Sequence, residues 1–126
     1  MTKEVVMTLD APAPIGPYSQ AIRSGNMLFV SGQVAIDPST NQLIEGDIAQ
    51  ETEQVMKNLS AILLAAGMDF TDVVKTTIFL SDMSLFSQVN EVYGSRFKSE
   101  PPARETVAVK GLPKNVNVEI SVIAAQ

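Results

Sequence analysis

The chain has 126 residues, 45% of them hydrophobic, with a formal net charge of -5 and a sequence pI near 4.6; it contains neither cysteine nor histidine. That length and apolar content fit one globular domain spanning 1–126 with a single core. The missing residue types exclude disulfides, thiol nucleophiles, imidazole bases and the usual zinc, copper and non-haem iron ligand sets, and no loop of clustered carboxylates resembles a calcium site. Proton handling is left to Asp, Glu, Lys, Tyr and water, and no metal or cofactor is expected.

The acidic balance and the scattering of nine basic residues argue against a large phosphate-binding surface, so nucleic acid is not the expected partner. There is no basic segment followed by an apolar stretch at the start, and no apolar run long enough for a bilayer. A soluble cytoplasmic protein with no membrane association is the expectation.

Along the chain, Lys3 to Leu9 reads as a strand. Ala11-Pro12-Ala13-Pro14-Ile15-Gly16-Pro17 follows, and three prolines with a glycine predict an ordered extended loop. Gln20 to Ser24 and Met27 to Gln33 flank Gly25-Asn26 and predict a hairpin. From Ile48 to Ala66, apolar residues at Ile48, Val55, Met56, Leu59, Ile62, Leu63 and Ala66 recur at helical spacing, with Gln50, Glu51, Lys57 and Asn58 expected to face outward. Asp47 with Gln50 forms a capping-box pattern and Gly67 supplies the residue that ends the helix.

Thr71 to Leu80 is rich in Val, Thr, Ile and Phe and reads as a strand. Ser84 to Phe97 predicts a second helix with Leu85, Phe86, Val89, Val92, Tyr93 and Phe97 on one side, stopped by Pro101-Pro102. Two last strands are expected near Glu105 to Lys110 and Asn115 to Ala124, joined by Gly111-Leu112-Pro113-Lys114-Asn115. The order predicts an α+β fold with two helices on one face of a mixed sheet. On the last strand, Val118, Ile120 and Val122 share the parity expected to meet the helices, while Asn117, Glu119 and Ser121 would line a cleft or a subunit interface.

The most informative feature for chemistry is a pair of charges near the C-terminal end, Arg104 in Pro101-Pro102-Ala103-Arg104-Glu105-Thr106 and Glu119 in Val118-Glu119-Ile120. Antiparallel pairing of the two last strands would bring both towards one sheet face. A guanidinium there could hold a carboxylate by two parallel hydrogen bonds, and the glutamate could accept or position the protons of a water molecule.

The segment Ala11-Pro12-Ala13-Pro14-Ile15-Gly16-Pro17-Tyr18-Ser19-Gln20, then Ser31-Gly32-Gln33, Pro102-Ala103-Arg104 and Val118-Glu119-Ile120, in that order and spacing, resembles the RidA/YjgF family over nearly the whole chain. The resemblance implies a chorismate-mutase-like α+β fold and a homotrimer with clefts between subunits. It also implies hydrolysis of reactive 2-imino acids, 2-iminopropanoate and 2-iminobutanoate, to 2-oxo acids and ammonia, a metabolite damage-control activity. By position, Arg104 would bind the substrate carboxylate and Glu119 would position or activate the water. Tyr18 would line the cleft from a different subunit than the arginine, Ser31 and Gly32 would offer backbone contacts, and Asn90 would be a polar cleft residue. Thr106 stands where the family often carries a cysteine, a change expected to affect substrate preference or rate more than reaction type. Two other readings stand beside hydrolysis: a non-catalytic binder of 2-oxo acids at the same arginine, and an endoribonuclease or translation inhibitor, which the acidity disfavours.

Overall fold

The computed structural model describes residues 2–126. It is an α+β arrangement in which two helices cover one face of a six-stranded mixed sheet. The strands are β1 (Lys3–Val6), β2 (Ala21–Ser24), β3 (Met27–Gln33), the short β4 (Ile36–Asp37) and β5 (Gln42–Leu43), β6 (Val73–Leu80), β7 (Ala103–Ala108) and β8 (Val118–Ala125); the helices are α1 (Ile48–Ala65) and α2 (Phe86–Gly94). The large sheet runs β1-β2-β3-β8-β6-β7, with β4 and β5 forming a separate two-residue hairpin. All its neighbours are antiparallel except β6 and β7, which are parallel and joined through α2.

The expected hairpin between the two last strands does not form. β8 lies between β3 and β6, while β7 pairs with the far side of β6, so a whole strand separates β7 from β8. The connection that looked like a hairpin turn is a one-turn 3-10 segment, Pro113–Asn115, in which Lys114 and Asn115 both take left-handed backbone angles (φ 57° and 56°). It redirects the chain across the end of β6 instead of folding it back on β7.

The first helix starts and stops where local chemistry says it should. Asp47 accepts from the Gln50 backbone N–H at 2.9 Å and the Gln50 side chain accepts from the Asp47 N–H at 2.9 Å, completing the capping box, while Gly67 just beyond α1 has φ 75°. The α1 stripe of Val55, Met56, Leu59, Ile62 and Leu63 is buried against Leu28, Ile78, Leu80, Val118, Ile120 and Val122 of the sheet. Asn58, expected outside, is also buried: its amide nitrogen donates to the carbonyls of Val34 and Ile36 at 3.1 and 2.9 Å. Hydrophobic periodicity places a polar residue on the wet face by default, and here the carbonyls of Val34, just before β4, and of Ile36, within it, recruit it inward.

Three elements are shorter than their patterns suggest, two because a carboxylate caps a tight turn and one because a side-chain amide draws the backbone away. Asp69 accepts from the Thr71 N–H, so 70–72 is a 3-10 turn and β6 begins at Val73; Asp82 accepts from the Ser84 N–H, so 83–85 is 3-10 and α2 begins at Phe86. The first strand ends at Val6, where Thr8 turns to meet Gln20.

Candidate functional site

Register fixes which face of the sheet each candidate residue occupies, because residues paired across a ladder share a face. Arg104 pairs with Thr76, and Thr76 with Val122, so all three lie on the helix face. Glu119 pairs with Phe79, whose β7 partner is Val107, and these lie on the opposite, open face. Within one chain Arg104 and Glu119 are therefore on opposite sides of the sheet, which corrects the expectation of a shared face. The candidate residues fall into two groups, one on each face.

The arginine half is built by α2. Phe86, Asn90 and Tyr93 follow one another at four- and three-residue steps and so share a helix face above β7. Asn90 Oδ1 accepts from an Arg104 terminal nitrogen at 2.7 Å, and the guanidinium carbon lies 5.1 Å from the Tyr93 ring centroid and 5.6 Å from that of Phe86. Tyr93 is itself fixed by a hydrogen bond from its hydroxyl to Thr76 Oγ1 at 2.9 Å and by Phe97, whose ring centroid is 4.7 Å away. Burial pushes the Tyr93 hydroxyl above its ordinary pKa, partly offset by the Thr76 bond and the nearby Arg104 charge, so it stays a neutral donor. Among the described residues no carboxylate pairs with Arg104, which leaves guanidinium N–H groups for a ligand in the cleft formed with Pro101, Pro102 and Gly94. Thr106, two residues along on the same face, has a buried hydroxyl oxygen with no hydrogen-bond partner among the described residues.

The glutamate half lies under the proline-rich loop. The buried Gln20 amide staples that loop: its oxygen accepts from the Thr8 N–H at 2.7 Å and its nitrogen reaches the carbonyls of Thr8, Ala11 and Pro12 at 3.0, 3.2 and 2.9 Å. Tyr18 hangs from the stapled loop, half exposed, and lines the same cleft as Gly32, Gln33, Lys114 and Glu119. The Ser31 hydroxyl donates to the Ser19 carbonyl at 2.6 Å, and the Ser31 N–H donates to the Gln20 carbonyl at 2.9 Å. Ser31 thus binds loop to strand, and its hydroxyl proton is already committed. Glu119 is half-buried, makes no ion pair or hydrogen bond with the described residues, and burial alone raises its pKa above the ordinary value.

Of the residues expected at a site, Arg104, Asn90 and Thr106 fall in the first half and Tyr18, Ser31, Gly32 and Glu119 in or beside the second. Sequence reading missed the supports. Phe86 and Tyr93 were indistinguishable from core residues of an apolar stripe, although their spacing with Asn90 holds the signal, and Lys114 sat in what looked like a plain turn. Among the described residues there is no cluster of three or more His, Cys, Asp or Glu side chains placed to hold a metal ion. Among the described residues no helix is long and apolar enough to cross a membrane.

A family model described as endoribonuclease L-PSP matches residues 8–126. Human 2-iminobutanoate/2-iminopropanoate deaminase is 47% identical, the match covering 100% of this chain and 92% of the human one. A solved structure from Thermotoga maritima superposes with a TM-score of 0.97 at 52% identity, covering 99% of this chain and 98% of that one. The structure of E. coli TdcF with bound serine superposes with a TM-score of 0.92 at 36% identity, covering 98% of each.

Proposed function

The chain belongs to the RidA/YjgF family, the endoribonuclease L-PSP family of the matching model, and from that premise we propose that it is a metal-independent deaminase of small 2-imino acids such as 2-iminopropanoate and 2-iminobutanoate. The observation that carries this reading is the state of Glu119. A half-dry carboxyl with no partner among the described residues to hold its charge, and a pKa raised by burial, is suited to taking up and returning a proton.

The chemistry asks for little more. An iminium carbon is already electrophilic, so neither a metal nor a covalent nucleophile is required. Arg104, pinned by Asn90, would take the substrate carboxylate as a two-pronged hydrogen bond. Water adds to C2 as Glu119 removes its proton, giving a tetrahedral carbinolamine. Glu119 returns that proton to the nitrogen, the C–N bond breaks as the carbinolamine hydroxyl gives its own proton to Glu119, and the 2-oxo acid and ammonia leave, the ammonia taking that last proton from Glu119 to become ammonium.

This scheme needs both half-sites at one substrate, and opposite faces of one sheet cannot supply that. The protein is therefore proposed to work as a homotrimer in which the Arg104 cleft of one subunit closes on the Glu119 cleft of the next. Support comes from the open sheet face, where Phe29 and Val107 are exposed and Phe79 and Ile123 half-buried, a face apolar enough to be covered by a neighbouring copy. RNA cleavage draws no support from the charge of -5, or from the pairing of Lys75 with Glu105 and Arg96 with Glu53.

The test is a coupled assay in which threonine dehydratase generates 2-iminobutanoate and semicarbazide traps what remains. Sub-stoichiometric protein is expected to abolish most of the trapped imine. Unchanged trapping with an assembled protein that still binds 2-oxobutanoate would replace the deaminase by a non-catalytic binder.

A further inference from the structure

Gly32 stands in β3 at a β-bulge. Val30 pairs with Val122 and Gln33 with Ile120, so Ser31 and Gly32 together oppose Ser121, one residue too many for a regular ladder. Nothing in the backbone calls for glycine there, since the positive-φ glycines are Gly25 and Gly67. The demand comes from across the strand. A Cβ on Gly32 would lie 2.8 Å from Glu119 Cδ and 3.0 Å from both its Cγ and its Oε1, closer than carbon and oxygen atoms pack. By contrast, a Cβ at Gly16, near the same cleft, would meet the Tyr18 ring at an ordinary 3.6 Å, and one at Gly111 would meet nothing.

We propose that Gly32 is the positioning residue of Glu119: the bare Cα at the bulge is the seat on which the carboxyl lies, and any side chain there lifts the carboxyl away from its working place. The inference deepens the deaminase reading by naming what aims the proton-transfer group. Without a seat, a glutamate on an open sheet face would swing through several rotamers in water. Lying against the strand it keeps one place and loses part of its hydration, in keeping with a pKa shifted by burial alone. The charged or titratable groups sharing its cleft are Lys114 and Tyr18; further along the same sheet face, Lys75 and Glu105 neutralise each other across β6 and β7.

Two measurements need no substrate, so they read the seat even if the imine assay is negative. In the first, the Glu119 carboxyl is titrated by carbon NMR, assigned by its loss in Glu119→Gln. Gly32→Ala is expected to lower its pKa towards the ordinary glutamate value, and Gly111→Ala to leave it unchanged. The second is a double-mutant cycle on the denaturation midpoint. Gly32→Ala should lower the midpoint when Glu119 is present, and should leave it level or raise it in a Glu119→Ala background, where the obstacle is gone and the unfolded chain is stiffer. In the active protein, Gly32→Ala should reduce kcat by about 10- to 100-fold with KM within a few-fold, and move the acid limb of the pH profile downward with the carboxyl pKa. An unmoved Glu119 titration, or a midpoint loss equal in both backgrounds, would overturn the proposal.

Discussion

A carboxyl perturbed only by burial costs the fold free energy when it ionises, and Glu119 is such a group. Its folded pKa lies above its unfolded one, so its favourable contribution is complete below the unfolded value and is lost as pH rises through the folded value. Glu119→Gln, which keeps the shape and cannot ionise, is therefore expected to raise the melting temperature at pH 8 and to leave it nearly unchanged at pH 3.5. The same variant should bind a 2-oxo acid within a few-fold of wild type and hydrolyse imines about 10²–10⁴ times more slowly. A melting-temperature gain equal at both pH values would show that the ionised group is not the source. Arg104 makes the complementary case. Arg104→Lys keeps a positive charge but loses the planar fork and the Asn90 register, and should weaken 2-oxobutanoate binding about 10- to 100-fold by calorimetry, one charge-assisted hydrogen bond being worth about 1.5–3 kcal/mol. Unaltered affinity would mean that charge alone, and not the fork, holds the ligand.

At the scale of elements, the loop of residues 8–18 has no ladder to hold it, and the Gln20 side chain is its main tie to the sheet, beside the Ser31 bond to the Ser19 carbonyl. Gln20→Leu removes every side-chain bond from the buried amide to Thr8, Ala11 and Pro12 and strands their backbone groups. It is expected to lower stability to urea by about 2–4 kcal/mol and to reduce turnover more than 2-oxo acid binding, because it loosens Tyr18 and leaves Arg104 untouched. An unaltered urea midpoint would show that water replaces the staple at no cost. The local features of these elements were legible: the α1 stripe, its capping box, the proline loop and the β2–β3 hairpin all follow from short-range patterns. Partner choice between distant strands was not. Two strands close in sequence usually pair, so β7 and β8 read as a hairpin, yet the β6–α2–β7 crossover carries β7 beyond β6 while β8 enters between β3 and β6. No residue within 103–125 announces that insertion. Asn58 was misread for a similar reason, since the carbonyls it satisfies lie at and just before β4, 22 and 24 residues earlier.

For the whole molecule, the candidate site residues were named from the motifs that hold them, whereas their distribution over two faces came only from the ladder register. That register gives a single chain two separate clefts, an Arg104 cleft towards the helices and a Glu119 cleft towards the open sheet, which the proposed trimer would join in pairs. The claim that active sites are shared between subunits can be tested by mixing inactive parents. Arg104→Ala and Glu119→Gln proteins would be denatured together in equal amounts, refolded and assayed for imine hydrolysis beside each parent refolded alone. With shared sites in a cyclic trimer, every mixed assembly holds one interface with both native residues, so the mixture should recover about a quarter of the wild-type activity. Activity no higher than that of the parents, in trimers shown by native mass spectrometry to be mixed, would place Arg104 and Glu119 of one chain in the same site and contradict the account.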